Sequence, residues 1–148
     1  MLVSEIIRIK GGTLYTATPE QSLASAVEIM ADFDVGSLVV MSGGKMAGIL
    51  TFREVLRAFR KTGGKLDMMT VGEVMVADPA TAYPSMEAND LRRLMIEKHC
   101  RYLPVLDGNL LLGVISFLDV AKAVLEEQSF ENKMLKNYIK NWPDEPQA

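Results

Sequence analysis

Apolar residues recur along the chain in two alternating rhythms. From Ser22 onward, Leu23, Ala26, Val27 and Met30 fall at the i, i+3, i+4, i+7 spacing of one helical face. The residues before that run, 13–16, are short and β-prone. Residues 37–41 are apolar and β-branched, Ser42-Gly43-Gly44-Lys45 supplies the glycines of a tight hairpin, and residues 46–51 form a second strand. A second helix follows, with Val55, Leu56 and Phe59 expected to face inward. The same succession then returns. Leu91, Leu94 and Met95 share a helical face, strands over 102–106 and 110–116 flank the turn Asp107-Gly108-Asn109, and Val120, Ala121 and Val124 mark a closing helix. Each half therefore predicts β-α-β-β-α.

The halves are copies of one another. Thr16-Ala17-Thr18-Pro19 matches Thr81-Ala82-Tyr83-Pro84, and Gly48-Ile49-Leu50-Thr51-Phe52-Arg53-Glu54-Val55 matches Gly113-Val114-Ile115-Ser116-Phe117-Leu118-Asp119-Val120, both at a spacing of 65 residues. Upstream, Val3-Ser4-Glu5-Ile6 resembles Val71-Gly72-Glu73-Val74 at a spacing of 68, which puts a three-residue insertion in the first copy near Gly11-Gly12. A unit of about 60 residues buries too little surface to be stable alone, so the copies should pack on each other. Residues 61–70, with Gly63-Gly64, read as the linker. The expected division is 2–62 and 71–127 for the two units, 128–142 for a C-terminal helix and 143–148 for a frayed tail. That helix carries Phe130, Met134, Tyr138 and Trp142 in i, i+4 steps, flanked by Leu135 and Ile139, with Lys133, Lys136 and Lys140 off the stripe. The stripe either caps its own unit or docks on a second subunit.

Composition narrows the function. With 49% hydrophobic and 24% charged residues the chain has the make-up of a folded soluble protein. A net charge of -3 gives little reason to expect a nucleic-acid partner. No apolar run approaches the length of a membrane span, and the alternation within residues 1–10 does not resemble a signal peptide. Cys100 is the one cysteine, which excludes an internal disulfide and fits a reducing, cytoplasmic setting. With His99 as the one histidine, a histidine-rich metal site is ruled out and no metal is expected. The sequence has no G-x-S-x-G, no G-x-x-x-x-G-K-[ST] and no G-x-G-x-x-G, and His99 and Cys100, being adjacent, point to different sides of their element. A buried thiol beside a surface imidazole is the expectation there, and no catalytic residue is assigned.

One feature with chemical potential is repeated: a buried strand ending in a hydroxyl, with an acid three residues later. Ser116 and Asp119 form it in the second copy, Thr51 and Glu54 in the first. A helix N-terminus offers unpaired N–H groups to an anion, and a carboxylate one turn in can hold a vicinal diol such as ribose. The same spacing is also that of a capping box, S/T-x-x-E/D, which merely closes the helix.

From Val3 to about Glu127 the chain resembles a tandem pair of CBS domains, the cystathionine β-synthase motif. The phrases that carry the resemblance are Tyr102-Leu103-Pro104-Val105-Leu106-Asp107-Gly108, Leu112-Gly113-Val114-Ile115-Ser116-Phe117-Leu118-Asp119-Val120 and Val71-Gly72-Glu73-Val74-Met75. In the first copy they are Gly36-Ser37-Leu38-Val39-Val40 and Ala47-Gly48-Ile49-Leu50-Thr51-Phe52-Arg53-Glu54-Val55. Met134-Leu135-Lys136-Asn137-Tyr138-Ile139 looks like the end of stand-alone bacterial proteins made of one such pair. The resemblance implies an α/β (α+β) Bateman module: two β-α-β-β-α units packed by pseudo-two-fold symmetry, plus the C-terminal helix. It implies two clefts for adenosine-containing ligands, AMP, ADP, ATP, NAD or S-adenosylmethionine, and a non-enzymatic sensor that forms homodimers and signals to a partner in trans. The competing class is a dimeric scaffold with vestigial clefts.

Carried over by position, Asp119 is expected to hold ribose, Ser116 and Arg101 phosphate, and Thr81, Ala82 and the backbone of Tyr102, Leu103 and Pro104 the base. Met75 and Val76 are expected as an apolar wall of that same site. The first-copy site comprises Thr16, Ala17, Ser37, Thr51, Arg53 and Glu54. It is expected to be weaker, because Glu54 replaces an aspartate and Gly36 stands where Arg101 stands in the second copy.

Overall fold

In the computed structural model, which describes residues 1–141, the first copy comprises α1 (Val3–Lys10), β1 (Thr16–Ala17), α2 (Leu23–Asp32), β2 (Ser37–Ser42), β3 (Lys45–Thr51) and α3 (Phe52–Thr62). A 3-10 turn at Leu66–Met68 leads into α4 (Val71–Val74), β4 (Val76–Ala77), α5 (Ala88–Lys98), β5 (Tyr102–Asp107), β6 (Leu110–Ser116) and α6 (Phe117–Lys140). No helix among the described residues is long and apolar enough to cross a membrane.

The repeat extends to backbone register. Ser37 pairs with Thr51 and Tyr102 with Ser116, and each hairpin carries an irregularity at the same place, between Val40 and Met41 and between Val105 and Leu106. The opening strands differ. β1 lies at Thr16–Ala17, later than residues 13–16, and runs parallel to β2, whereas its second-copy counterpart shrinks to a single parallel bridge between Ala82 and Val105. β4 adds to the first copy's sheet instead, giving a four-stranded order β1-β2-β3-β4 beside the two-stranded β5-β6.

The two units exchange their leading segments. Val3 and Ile6 of α1 are buried in the core of the second copy with Leu91, Met95, Leu103, Ile115 and Val120. Val71 of α4 is buried in the core of the first copy with Leu23, Met30, Leu38 and Leu50. The hydrogen bonds are reciprocal. Val3 N–H donates to Met86 O at 2.9 Å and Ala88 N–H to Met1 O at 2.9 Å, while Val71 N–H donates to Gln21 O at 2.8 Å and Leu23 N–H to Met69 O at 2.8 Å. Glycine makes room for the exchange. A Cβ on Gly48 would stand 2.4 Å from Val76 O, so the strand can accept β4 only with a hydrogen there, and its equivalent Gly113 faces Ile7 of α1.

Two helices depart from the sequence reading. In α3 the period is as expected but the phase is rotated: Leu56 and Phe59 are 68% and 55% exposed, and Glu54 and Ala58 are buried in their place. Val55 is half-buried. At the helix start Glu54 turns back onto the Thr51 cap and is buried there. The expected C-terminal helix is present, but as the continuation of the second unit's closing helix. α6 runs unbroken from Phe117 through Lys140, because residues 125–129 contain neither glycine nor proline to stop it. Nothing from Gln128 to Lys140 is buried, so the stripe does not cap its own unit, and Phe130 and Ile139 are 64% and 63% exposed. Trp142 and the tail 143–148 lie outside the described residues.

Candidate functional site: two clefts at the junction of the copies

Both nominated hydroxyl–acid pairs form capping boxes. Ser116 Oγ accepts from the Asp119 N–H at 3.1 Å, and Asp119 Oδ2 accepts from the Ser116 N–H at 2.9 Å. In the first copy Glu54 Oε2 accepts from the Thr51 N–H at 2.9 Å and also from the Thr51 hydroxyl. Glu54 is 7% exposed and occupied by these bonds. The capping geometry that the spacing allows is therefore present in both copies, at the edges of two cavities.

The first cavity, of about 590 Å³, opens in front of Ser116. Its floor is β6 and the start of α6, with Gly113, Val114, Ser116 and Phe117. It is also lined by Ile7, by the stretch from Lys10 to Tyr15, and by Gly36 and Ser37. The second cavity, of about 420 Å³, opens in front of Thr51 and is lined by Arg53, Glu54, Val76, Pro79, Ala80, Lys98, Cys100 and Leu103. Arg101 and Tyr102 line both. Both volumes lie in the range of small-molecule sites.

The sequence grouping is thus redistributed. Val76, expected beside Asp119, lines the Thr51 cleft, because β4 has crossed to the first copy's sheet. Met75 lines neither cavity and packs against the first copy's core. Ser37, assigned to the first-copy site, lines the Ser116 cleft. Leu103 lines the Thr51 cleft, while Pro104 is buried behind it. Ala17 and Ala82 are buried in backbone pairing with Val40 and Val105, and Thr16 and Thr81 stand beside them, outside both linings. Cys100 is half-buried and His99 exposed.

Charge completes the picture. Lys10 Nζ donates to Asp119 Oδ2 and to Val114 O, both at 2.8 Å. Burial, the largest single influence on Asp119, acts to raise its carboxyl, but the bonds from Lys10 and Ser116 and the lysine's charge outweigh it and hold the group below its ordinary range. Arg53 donates through Nη2 to the His99 carbonyl at 2.8 Å, which ties the start of α3 to the second copy at the cleft edge. Sequence reasoning missed Lys10 and the loop after it. The signal was present: at the spacing of 68 that relates the leading segments, Val76 corresponds to Arg8, in the last turn of α1 that ends at Lys10.

Two interlocked β-α-β-β-α units with a cleft at each side of their junction define a tandem-repeat module. A CBS domain model matches residues 3–61 and 71–126, and the chain belongs to the CBS domain family. The mitochondrial CBS domain-containing protein CBSX3 of Arabidopsis thaliana is 30% identical over 146 residues, covering 93% of this chain and 71% of that one. A solved protein with CBS domains from Burkholderia ambifaria superposes with a TM-score of 0.80 at 34% identity, covering 86% of this chain and 96% of that one. The CBS domain pair of protein MJ0100, solved in complex with 5'-methylthioadenosine and S-adenosyl-L-methionine, superposes with a TM-score of 0.75. It covers 86% of this chain and 98% of that one, and at 20% identity it shows shared fold.

Proposed function

We propose that this chain is a non-enzymatic regulatory module that binds an adenosine-containing ligand, AMP, ADP, ATP, NAD or S-adenosylmethionine, in the clefts between its two units. The observation that carries this reading is the construction of the clefts: each is walled by both copies, and each sets a helix N-terminus and a hydroxyl beside cationic side chains. A ligand there contacts both units at once and biases their relative position. That a pair of the same fold holds two adenosine compounds supports the ligand class. The Ser116 cleft is the stronger site, with Ser116, Arg101 and Asp119 as phosphate and ribose groups. The Thr51 cleft, whose Glu54 is committed to its own cap, is the weaker one. The module acts in the cytoplasm as a homodimer through exposed helix faces, and passes its signal to a partner in trans.

A melting screen against adenine nucleotides, NAD and S-adenosylmethionine tests the reading. A ligand at a hundred times its Kd stabilises the native state by roughly 2.7 kcal/mol, a readily measured shift. No shift with any of these compounds favours a scaffold with vestigial clefts, a reading supported by the engagement of both acids in caps. Calorimetry that finds two equal sites, both surviving Asp119→Ala, overturns the asymmetry.

A further inference from the structure

The carboxylate expected to meet a ligand does not itself line the Ser116 cleft; Lys10 does. Its ammonium bridges Asp119 Oδ2 and the Val114 carbonyl. The lysine is fixed there by its backbone, since it ends α1, and α1 is locked into the second copy's core through Val3 and Ile6. The other cleft has no counterpart: Glu54 is held by its own Thr51 cap, and no lysine or arginine reaches its carboxylate among the described residues.

We infer that Lys10 makes the Ser116 cleft selective for phosphorylated over unphosphorylated adenosine compounds. This rests on the adenosine reading of that cleft. A ribose diol that takes Asp119 must displace the ammonium. An uncharged nucleoside gives the displaced lysine nothing in return, so its binding carries the full cost of breaking the ion pair. A nucleotide supplies a phosphate on which the released ammonium and Arg101 converge, so Lys10 exchanges one anion for another. The pair is suited to exchange because it is only partly buried, with Lys10 39% and Asp119 22% exposed in their side chains. Partly exposed pairs are weak enough to be given up, worth about fivefold in an equilibrium constant.

The test is a titration of the intact chain with adenosine and with AMP, read by the amide NMR shifts of Ser116 and Phe117 for this cleft and of Arg53 for the other, in wild type, Lys10→Met and Lys10→Arg. In wild type, AMP should bind at the Ser116 amides more tightly than adenosine. In Lys10→Met, adenosine should gain about fivefold, while AMP, which loses a phosphate contact but no longer has an ion pair to break, should change little, so the preference narrows about fivefold, while Lys10→Arg keeps it. The Arg53 amide should report no change between variants. An AMP-to-adenosine ratio in Lys10→Met equal to that of wild type, with both compounds still binding, overturns the role of Lys10 and leaves the adenosine reading intact. If neither compound shifts Ser116 or Phe117 in any variant, the adenosine reading of this cleft falls, and the inference with it.

Discussion

The hydroxyl of Tyr102 occupies the place where a side chain on Gly36 would begin: a Cβ built on Gly36 would stand 1.8 Å from Tyr102 Oη and 2.8 Å from a ring carbon of Phe52. Gly36 is the first-copy equivalent of Arg101, so two positions related by the repeat hold the smallest and one of the largest side chains. The pseudo-two-fold is broken where the copies meet, and one guanidinium, that of Arg101, borders both clefts. Gly36→Ala should therefore destabilise the fold by about 1–3 kcal/mol through overpacking. Urea unfolding measures it, and combining the change with Tyr102→Ala should recover part of the loss. A Gly36→Ala chain as stable as wild type would mean that the junction relaxes freely.

The exchanged helices predict a single folding unit. Ile6→Ala, although it lies in the first copy's sequence, should loosen the second copy's core and cost about 2–5 kcal/mol. A fragment ending at residue 66 would lack Val71 and leave Val3 and Ile6 without their core. It should show no cooperative melt by circular dichroism, and one that melts sharply on its own would contradict the interlock.

Asp119 sets a dependence on pH. Its carboxyl is held below its ordinary range in the folded chain, so the unfolded chain binds protons there more readily. The group therefore contributes stability at pH values above the unfolded carboxylate range, near 4, and that contribution is lost as pH falls through the folded value. Lys10→Met removes much of the cause. The difference in urea midpoint between wild type and Lys10→Met should be present at pH 7 and close as pH drops below about 4. A gap that persists unchanged in acid would assign the effect to something other than this ion pair.

The apolar stripe of α6 predicts an effect on assembly without one on the folded body. Phe130 and Met134 are exposed and make no part of either core. Phe130→Glu with Met134→Glu should change the stability of the monomer by less than about 0.5 kcal/mol, as surface substitutions do. If the stripe joins two chains, the same pair should shift sedimentation from dimer to monomer. A dimer that survives both changes is held by another face.

The fold was legible in the sequence wherever local pattern decides it. The hairpins, their turns, the inward faces of α2 and α5 and the repeat itself follow from side-chain periodicity and turn chemistry, which act over a few residues. Periodicity shows which face of a helix is apolar but not against what it packs. Hence α1 gave no sign that its core lies in the other copy, nor β4 that it pairs with Gly48 and Ile49. The phase of α3 was misleading because exposed Leu56 and Phe59 are apolar, and an apolar residue need not be inside. The hydroxyl–acid pairs that open the two helices were legible by residue type, and Ser116, Thr51, Glu54 and Arg101 do border the two cavities. Their sorting into two clefts was not legible, since it depends on the crossing of the leading segments.

The unbroken length of α6 has a mechanical consequence. Its first turn is the cap that borders the Ser116 cleft, and the helix runs for 24 residues, a rigid arm of about 36 Å at the usual helical rise. Only the root of that arm is bedded in the second unit. A tilt of about five degrees at the root sweeps the far end through about 3 Å, so an adjustment too small to see at the cap becomes, at Ile139, the width of a side-chain contact.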